Sequence, residues 1–288
     1  MARTVHVTVT DAAEAELAAD ALLAAGAVAV EERPAAGGGV VLVAGTAAGD
    51  DPGRLLAAVA GRWPAEPVPV DLDAALDAWR PYARPRLVGD RLVVRAPWVD
   101  RPPAAGGRRD VVIDPGRAFG SGAHPSTRLA LVALDRLVRR GDAVLDVGCG
   151  SGVLAIAALV LGARSATGVD VDQHAVEATA ANAARNAVAD RLEVSAGPLE
   201  QVVARAPGGY DIVVANMLLP DLVTTASALV AALGQDGRLV VSGLLDEQRD
   251  RLLPHLVGVA PVAELSEEGW LALTLQRSSG RRLRDRGG

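Results

Sequence analysis

The sequence contains no lysine, a single cysteine and a single phenylalanine, and aromatic residues make up only 2% of it. One cysteine, Cys149, excludes an internal disulfide and any cysteine-based metal cluster, and no metal site is expected. All 29 basic residues are arginine, a bias that GC-rich coding explains, together with the abundance of alanine, without any functional demand. So few aromatics leave the core to Ala, Val and Leu, and a hydrophobic content of 50% is enough to build one. Basic charge is not in excess either. A net charge of −6 and a pI near 5.3 argue against broad nucleic-acid binding, so no direct nucleic-acid partner is expected. The longest uncharged run, residues 147 to 163, is short for a membrane span and is rich in glycine at its start. The opening MARTVHVTVTDAAEAE has no apolar signal core and carries acids early. These features lead to the expectation of a cytoplasmic protein with no membrane partner; a monomer is also expected.

Residues 1–75 alternate strand-like and helix-like pieces. VHVTVT has period two, and DAAEAELAADALLAAGA is helical, with Asp11 as its N-cap and Gly26 at its end. VAVEE and VVLVAG follow around a Pro/Gly-rich turn, then a second helix in DDPGRLLAAVAGRW and an edge strand in EPVPVDL. The order βαββαβ predicts a small α+β, ferredoxin-like sandwich. Residues 76–118 read as a connector, rich in proline and arginine, with Trp79, Tyr82, Trp98 and Phe119 in it or at its edge. From 119 to 277 strands and helices alternate regularly, the pattern of a parallel sheet covered on both faces. Its last two strands, VAPVAEL and WLALTLQR, are separated only by SEEG and must pair antiparallel. A helix is expected over 246–256. Residues 278–288, RSSGRRLRDRGG with its arginine shared with the last strand, read as a disordered tail.

The chemistry centres on DVGCGSG, residues 146–152, where a strand hands over to the apolar helix LAIAALVLGA. No GK[ST] follows, so this is not a nucleotide-triphosphate loop, and the spacing G-x-G-x-G of Gly148, Gly150 and Gly152 departs from the dinucleotide fingerprint. Asp146, at the strand's tip, would repel a pyrophosphate and suit an ammonium or sulfonium group. Asp170, ending the next strand, can accept hydrogen bonds from both hydroxyls of a ribose. Ribose with a cationic head and no phosphate describes S-adenosyl-L-methionine.

DVGCGSGVLAIAALVLGA with GVDVD resembles the class I S-adenosylmethionine-dependent methyltransferases. The stretch FGSGAHPSTRLAL, residues 119–131, is similar to the FGTGTHPTT signature of a narrower family, PrmA, which methylates the eleventh protein of the large ribosomal subunit. VVANML, residues 213–218, resembles that family's VVANIL, and Trp79, Pro85, Gly89 and Pro97-Trp98 echo its interdomain pattern. The resemblance implies a Rossmann-like methyltransferase sheet, parallel with an antiparallel last strand, behind the small ferredoxin-like domain. It places cofactor contacts at Thr127, Gly148, Asp170 and Asn216, beside Asp146 and Gly150 of the loop. It also implies a protein partner at the base of the large-subunit stalk, free or ribosome-bound, methylated on lysine or α-amino groups. The role expected of the small domain is substrate recognition.

Methyl transfer to an amine needs alignment and surrounding carbonyl dipoles more than it needs a strong base. Asn216, with an amide oxygen and a backbone carbonyl, is the residue expected to orient the amine. His124 is a candidate base, although a histidine opening a helix is more often a cap. Departures from the family pattern, Ala123, Ser126 and Pro220, leave other targets open: a different protein lysine, a small-molecule amine, or a silent cofactor-binding module.

Overall fold

A computed structural model describes residues 3–27, 29–35, 39–45, 51–69, 80–116 and 118–278. Trp79, the start of the expected connector and the tail beyond Ser278 lie outside these residues. The chain divides into two compact units, Met1–Pro81 and Tyr82–Gly288.

The first unit has the order β1 (Arg3–Val9), α1 (Ala12–Ala24), β2 (Ala29–Pro34), β3 (Val40–Gly45), α2 (Gly53–Val59) and β4 (Ala65–Pro69). Its sheet runs β2-β3-β1-β4, antiparallel throughout, the arrangement expected of a βαββαβ sandwich. Strand β1 buries Val5, Val7 and Val9 and turns Thr8 to solvent, the period-two pattern of a half-covered strand. Asp11 caps α1 by accepting a hydrogen bond from Glu14 N at 2.9 Å, while the Glu14 carboxylate reaches back to Thr10 N. Ala15, Ala18 and Leu22, on one face of that helix, meet Leu42, Leu55 and Val59 in the core.

The second unit begins with a three-stranded sheet, β5 (Arg86–Val88), β6 (Leu92–Arg95) and β7 (Arg109–Val112), in a segment that reads as a connector. Then follow α3 (Pro125–Leu137), β8 (Ala143–Val147), α4 (Val153–Leu161), β9 (Ser165–Asp170), α5 (Gln173–Arg185), β10 (Leu192–Ala196) and α6 (Leu199–Arg205). The unit closes with β11 (Tyr210–Asn216), α7 (Leu219–Ala231), β12 (Leu233–Leu245), α8 (Arg249–Leu252), β13 (Val259–Glu267) and β14 (Trp270–Arg277). The helix expected over 246–256 is broken into three short helical pieces, 3-10 at 246–248, α at 249–252 and 3-10 at 253–255, the last containing Pro254, which has no N–H to continue a ladder.

The seven-stranded sheet has the order β10-β9-β8-β11-β12-β14-β13. Strands β8 to β12 are parallel, and β14 runs antiparallel to both β12 and β13. Alternation sorts the strands onto two cores. Val144, Ile212, Val214 and Val240 face α3 and α4, whereas Leu145, Val213, Ala215 and Val241 face α6, α7 and α8. Helix α4 is apolar on every side and must therefore be covered on every side. The cover is the small sheet: Val88, Leu92, Val94 and Val111 join the core that holds α4. Each fully buried Leu or Ile of this kind is worth about 2 kcal/mol of transfer free energy.

Candidate active site

Parallel strands present their carboxyl ends on one edge, and there β8, β9 and β11 deliver the glycine loop, Asp170 and Asn216. Between them lies a cleft of about 480 Å³. Thr127, Gly148, Gly150, Asp170 and Asn216, all expected from the sequence, line it together, as does His124. Asp146 does not.

The loop is tied down by its own backbone. Gly148 N and Cys149 N both donate to Val169 O, at 2.8 and 3.2 Å, and Gly150 N donates to Asp170 Oδ2 at 2.9 Å. Asp172 N donates to Asp170 Oδ1 at 3.0 Å, so both carboxylate oxygens are held in place and each keeps a lone pair. Gly150 cannot carry a side chain: its φ is +53°, and a Cβ would lie 2.6 Å from Phe119 O. The segment 119–120 presses on the loop here, with Ser151 N donating to Phe119 O at 2.9 Å and Ser151 Oγ to Gly120 O at 2.7 Å.

Asp146 departs from its expected place facing a ligand. Its side chain is fully buried, and Oδ2 accepts from Ala155 N at 3.0 Å in the first turn of α4. Oδ1 has no hydrogen-bond partner. Burial, opposed by the Ala155 bond and reinforced by Asp170, pushes its carboxyl up to about 7. Cys149 is also buried; desolvation, then the nearby Asp146, push its thiol up to about 12.

At the other end of the cleft, Asn216 Nδ2 donates to Thr127 Oγ1 at 3.1 Å, and Thr127 is fully buried. That bond fixes the amide so that Oδ1 is the acceptor left over. Oδ1 is buried and has no partner within the protein. A buried acceptor without a donor is costly, which makes this atom a place for an N–H from a ligand.

His124 is the N-cap of α3. Its Nδ1 accepts from Ser126 N at 3.3 Å and lies 2.8 Å from Ser126 Oγ. A ring accepting at Nδ1 carries its proton on Nε2, so the remaining nitrogen is a donor and not a base. Burial, then the Arg128 cation, hold its pKa below the usual histidine range, against a smaller opposing pull from Glu268. The ring packs edge-on against Trp270, with centroids 4.6 Å apart, and against Phe119 at 5.6 Å.

Trp270 and Asp221 also line the cleft and were not singled out from the sequence. Trp270 opens β14, and because that strand runs antiparallel its first residue, not its last, falls at the cleft edge opposite Leu245. The short SEEG turn was the available signal. Asp170, Asp172 and Asp221 face the cleft, and among the described residues its lining includes no arginine. Among the described residues, no group of three His, Cys, Asp or Glu side chains could hold a metal, and no helix is long and apolar enough to cross a membrane.

This sheet order, with a reversed penultimate strand in space and a glycine-loop cleft at its carboxyl edge, defines a class I methyltransferase. A family model described as ribosomal protein L11 methyltransferase (PrmA) matches residues 71–278. A ribosomal protein L11 methyltransferase of Synechococcus sp. is 40% identical over 222 residues, 75% of this chain and 72% of that protein. One from Cupriavidus necator is 40% identical over 233 residues, covering 77% and 74%. The crystal structure of a ribosomal protein L11 methylase from Lactobacillus delbrueckii subsp. bulgaricus superposes with a TM-score of 0.61 at 29% identity, covering 67% of this chain and 98% of that one. The chain belongs to the ribosomal protein L11 methyltransferase (PrmA) family.

Proposed function

We propose that this methyltransferase transfers methyl groups from S-adenosylmethionine to lysine or α-amino groups of ribosomal protein L11, at the base of the large-subunit stalk. One observation carries the reading: a loop and a carboxylate suited to a ribose share one cleft with a buried, unpartnered amide oxygen.

When bound, S-adenosylmethionine would supply an electrophilic methyl group carried on a cationic sulfur. Asp170 accepts from the ribose hydroxyls with the lone pairs its backbone bonds leave over. Gly148 and Gly150 let the main chain approach the cofactor closely, and Thr127, accepting from Asn216, keeps its own hydroxyl proton to donate to the methionine end. Asp146 acts from behind, holding the first turn of α4 through Ala155 N. Asn216 Oδ1 accepts from the amine and orients its lone pair, and the amide dipole stabilises the charge that develops there. The amine reaches the cleft after losing its proton to solvent. His124, committed as a cap, takes no proton. The first unit, which contributes none of these residues, docks the protein substrate, and the enzyme works as a cytoplasmic monomer.

The test is methyl transfer from tritium-labelled S-adenosylmethionine to purified ribosomal protein L11, with the labelled amines located by mass spectrometry. A chain starting at Leu76 should retain cofactor binding and lose most of this transfer, because alignment depends on docking remote from the reacting nitrogen. No label in L11, with labelling of a small amine instead, would overturn the assignment of substrate.

A further inference from the structure

The wall of the cleft formed by Trp270 depends on how the β13–β14 turn is held. That turn is Glu268-Gly269, with φ of +52° and +78°. Two successive left-handed residues are the geometry of a tight antiparallel hairpin, and its first position suits asparagine, aspartate or glycine. Glutamate sits there at a steric cost those residues would reduce or avoid. What it brings is a carboxylate.

Glu268 Oε1 accepts from Arg128 Nη2 at 3.2 Å, and Glu267 accepts from Arg128 Nε at 3.1 Å and forms an ion pair with Nη2 at 2.9 Å. Arg128 Nη1 donates to Ala123 O. One guanidinium thus uses all three nitrogens to join the hairpin turn to the segment that opens α3. Its side chain is 18% exposed, against 41% and 68% for the two glutamates, so the cation is the sheltered partner. On either side of this junction lie residues of the cleft. Trp270 follows the turn and packs on His124, the cap of α3, and Thr127, adjacent to Arg128, accepts from Asn216.

We propose that Arg128 is a positioning residue for methyl transfer, a three-way latch that sets the spacing between the Trp270 wall and the His124–Thr127 wall of the cleft. It touches neither substrate. This role rests on the methyltransferase reading above. A partly exposed ion pair contributes little to global stability, but a displacement of about 1 Å at a reacting centre lowers a rate by about 100-fold. The latch therefore acts on turnover more than on folding.

Three variants test it: Arg128→Gln, Arg128→Lys and the double change Glu267→Gln/Glu268→Gln. For each, kcat and KM for L11 methylation, the Kd of S-adenosylhomocysteine and the melting temperature are measured. Trp270 emission is taken as the difference from the same variant carrying Trp270→Phe. Arg128→Gln should lower kcat at least about ten-fold and red-shift Trp270 emission, while cofactor Kd moves less than about three-fold. The double glutamine variant should do the same without altering α3 itself. Arg128→Lys should recover only part, because an ammonium cannot reproduce the planar fork. Unchanged kcat and emission in both glutamine variants, or a loss of cofactor affinity in step with melting temperature, would overturn the proposal. If the wild type methylates no protein, the substrate assignment fails by itself, and the emission of Trp270 still decides whether the latch exists.

Discussion

Replacing Asp146 by asparagine isolates the electrostatic cost of a carboxylate inside the second unit. Asp146 is fully buried, has one oxygen on Ala155 N and leaves the other without a partner. Its carboxyl is raised from 3.8 to about 7, mainly by desolvation. The folded protein therefore keeps a proton across an interval in which the unfolded chain has lost it. Such a group contributes stability below its unfolded pKa, and that contribution is lost as pH rises through the folded value. With the folded value so raised, linkage gives a loss of roughly 2–3 kcal/mol between pH 5 and pH 8. Asparagine keeps an acceptor for Ala155 N and does not titrate. Its unpartnered amide costs about 1–3 kcal/mol, but equally at both pH values. The depressed pKa of His124 works in the opposite sense, its share of the stability falling away as pH drops below the unfolded histidine value. Both proteins share that contribution, and it cancels in their difference. Urea unfolding at pH 5 and pH 8, read on the transition that S-adenosylhomocysteine shifts, should show the wild type losing roughly 2–3 kcal/mol more than Asp146→Asn. Superimposable pH profiles for the two proteins would refute the buried, protonated carboxylate.

Asp170→Ala removes a charged acceptor for two ribose hydroxyls and should weaken S-adenosylhomocysteine binding by about 2–4 kcal/mol in calorimetry, whereas unchanged affinity would mean the ribose is held elsewhere. Asn216→Ala should lower kcat more than cofactor affinity; a variant that binds poorly yet turns over normally at saturation would confine Asn216 to cofactor binding. Gly150→Ala meets both a left-handed φ and the carbonyl of Phe119, so it should lower the melting temperature and cofactor affinity together, and a neutral outcome would show that segment 119–120 yields easily. Cys149, buried with its thiol pushed up to about 12, should resist iodoacetamide at neutral pH until urea is added, and rapid alkylation of the native protein would contradict its burial.

Local signals carried much of the architecture. Asp11 caps a helix because a side-chain oxygen beside a free N–H does so in almost any setting, and Val5, Val7 and Val9 face one way because strand geometry alternates. Gly148 and Asp170 could be gathered at one edge from the chain alone, since parallel strands bring their carboxyl ends together, whereas Thr127 and Asn216 were added by resemblance to the family motifs. The antiparallel last pair followed from a turn too short for a crossover. Other features depended on contacts between residues far apart. Strands β5 to β7 lie in a segment whose composition resembles a linker, and they are needed as a cover for α4, whose apolar periphery was visible but whose partner was not. Asp146 sits beside the ligand loop in sequence, yet the outcome turns on which way a strand-end side chain points, and packing against α4 turned it inward. Trp270 and Arg128 are 142 positions apart and are brought together only through hairpin register and an ion pair. Sequence determines what each backbone segment does locally, because propensity, capping and turn chemistry act over a few residues. Burial, protonation and cleft shape were left to the tertiary structure, because desolvation and side-chain contact depend on neighbours that only the complete fold brings together.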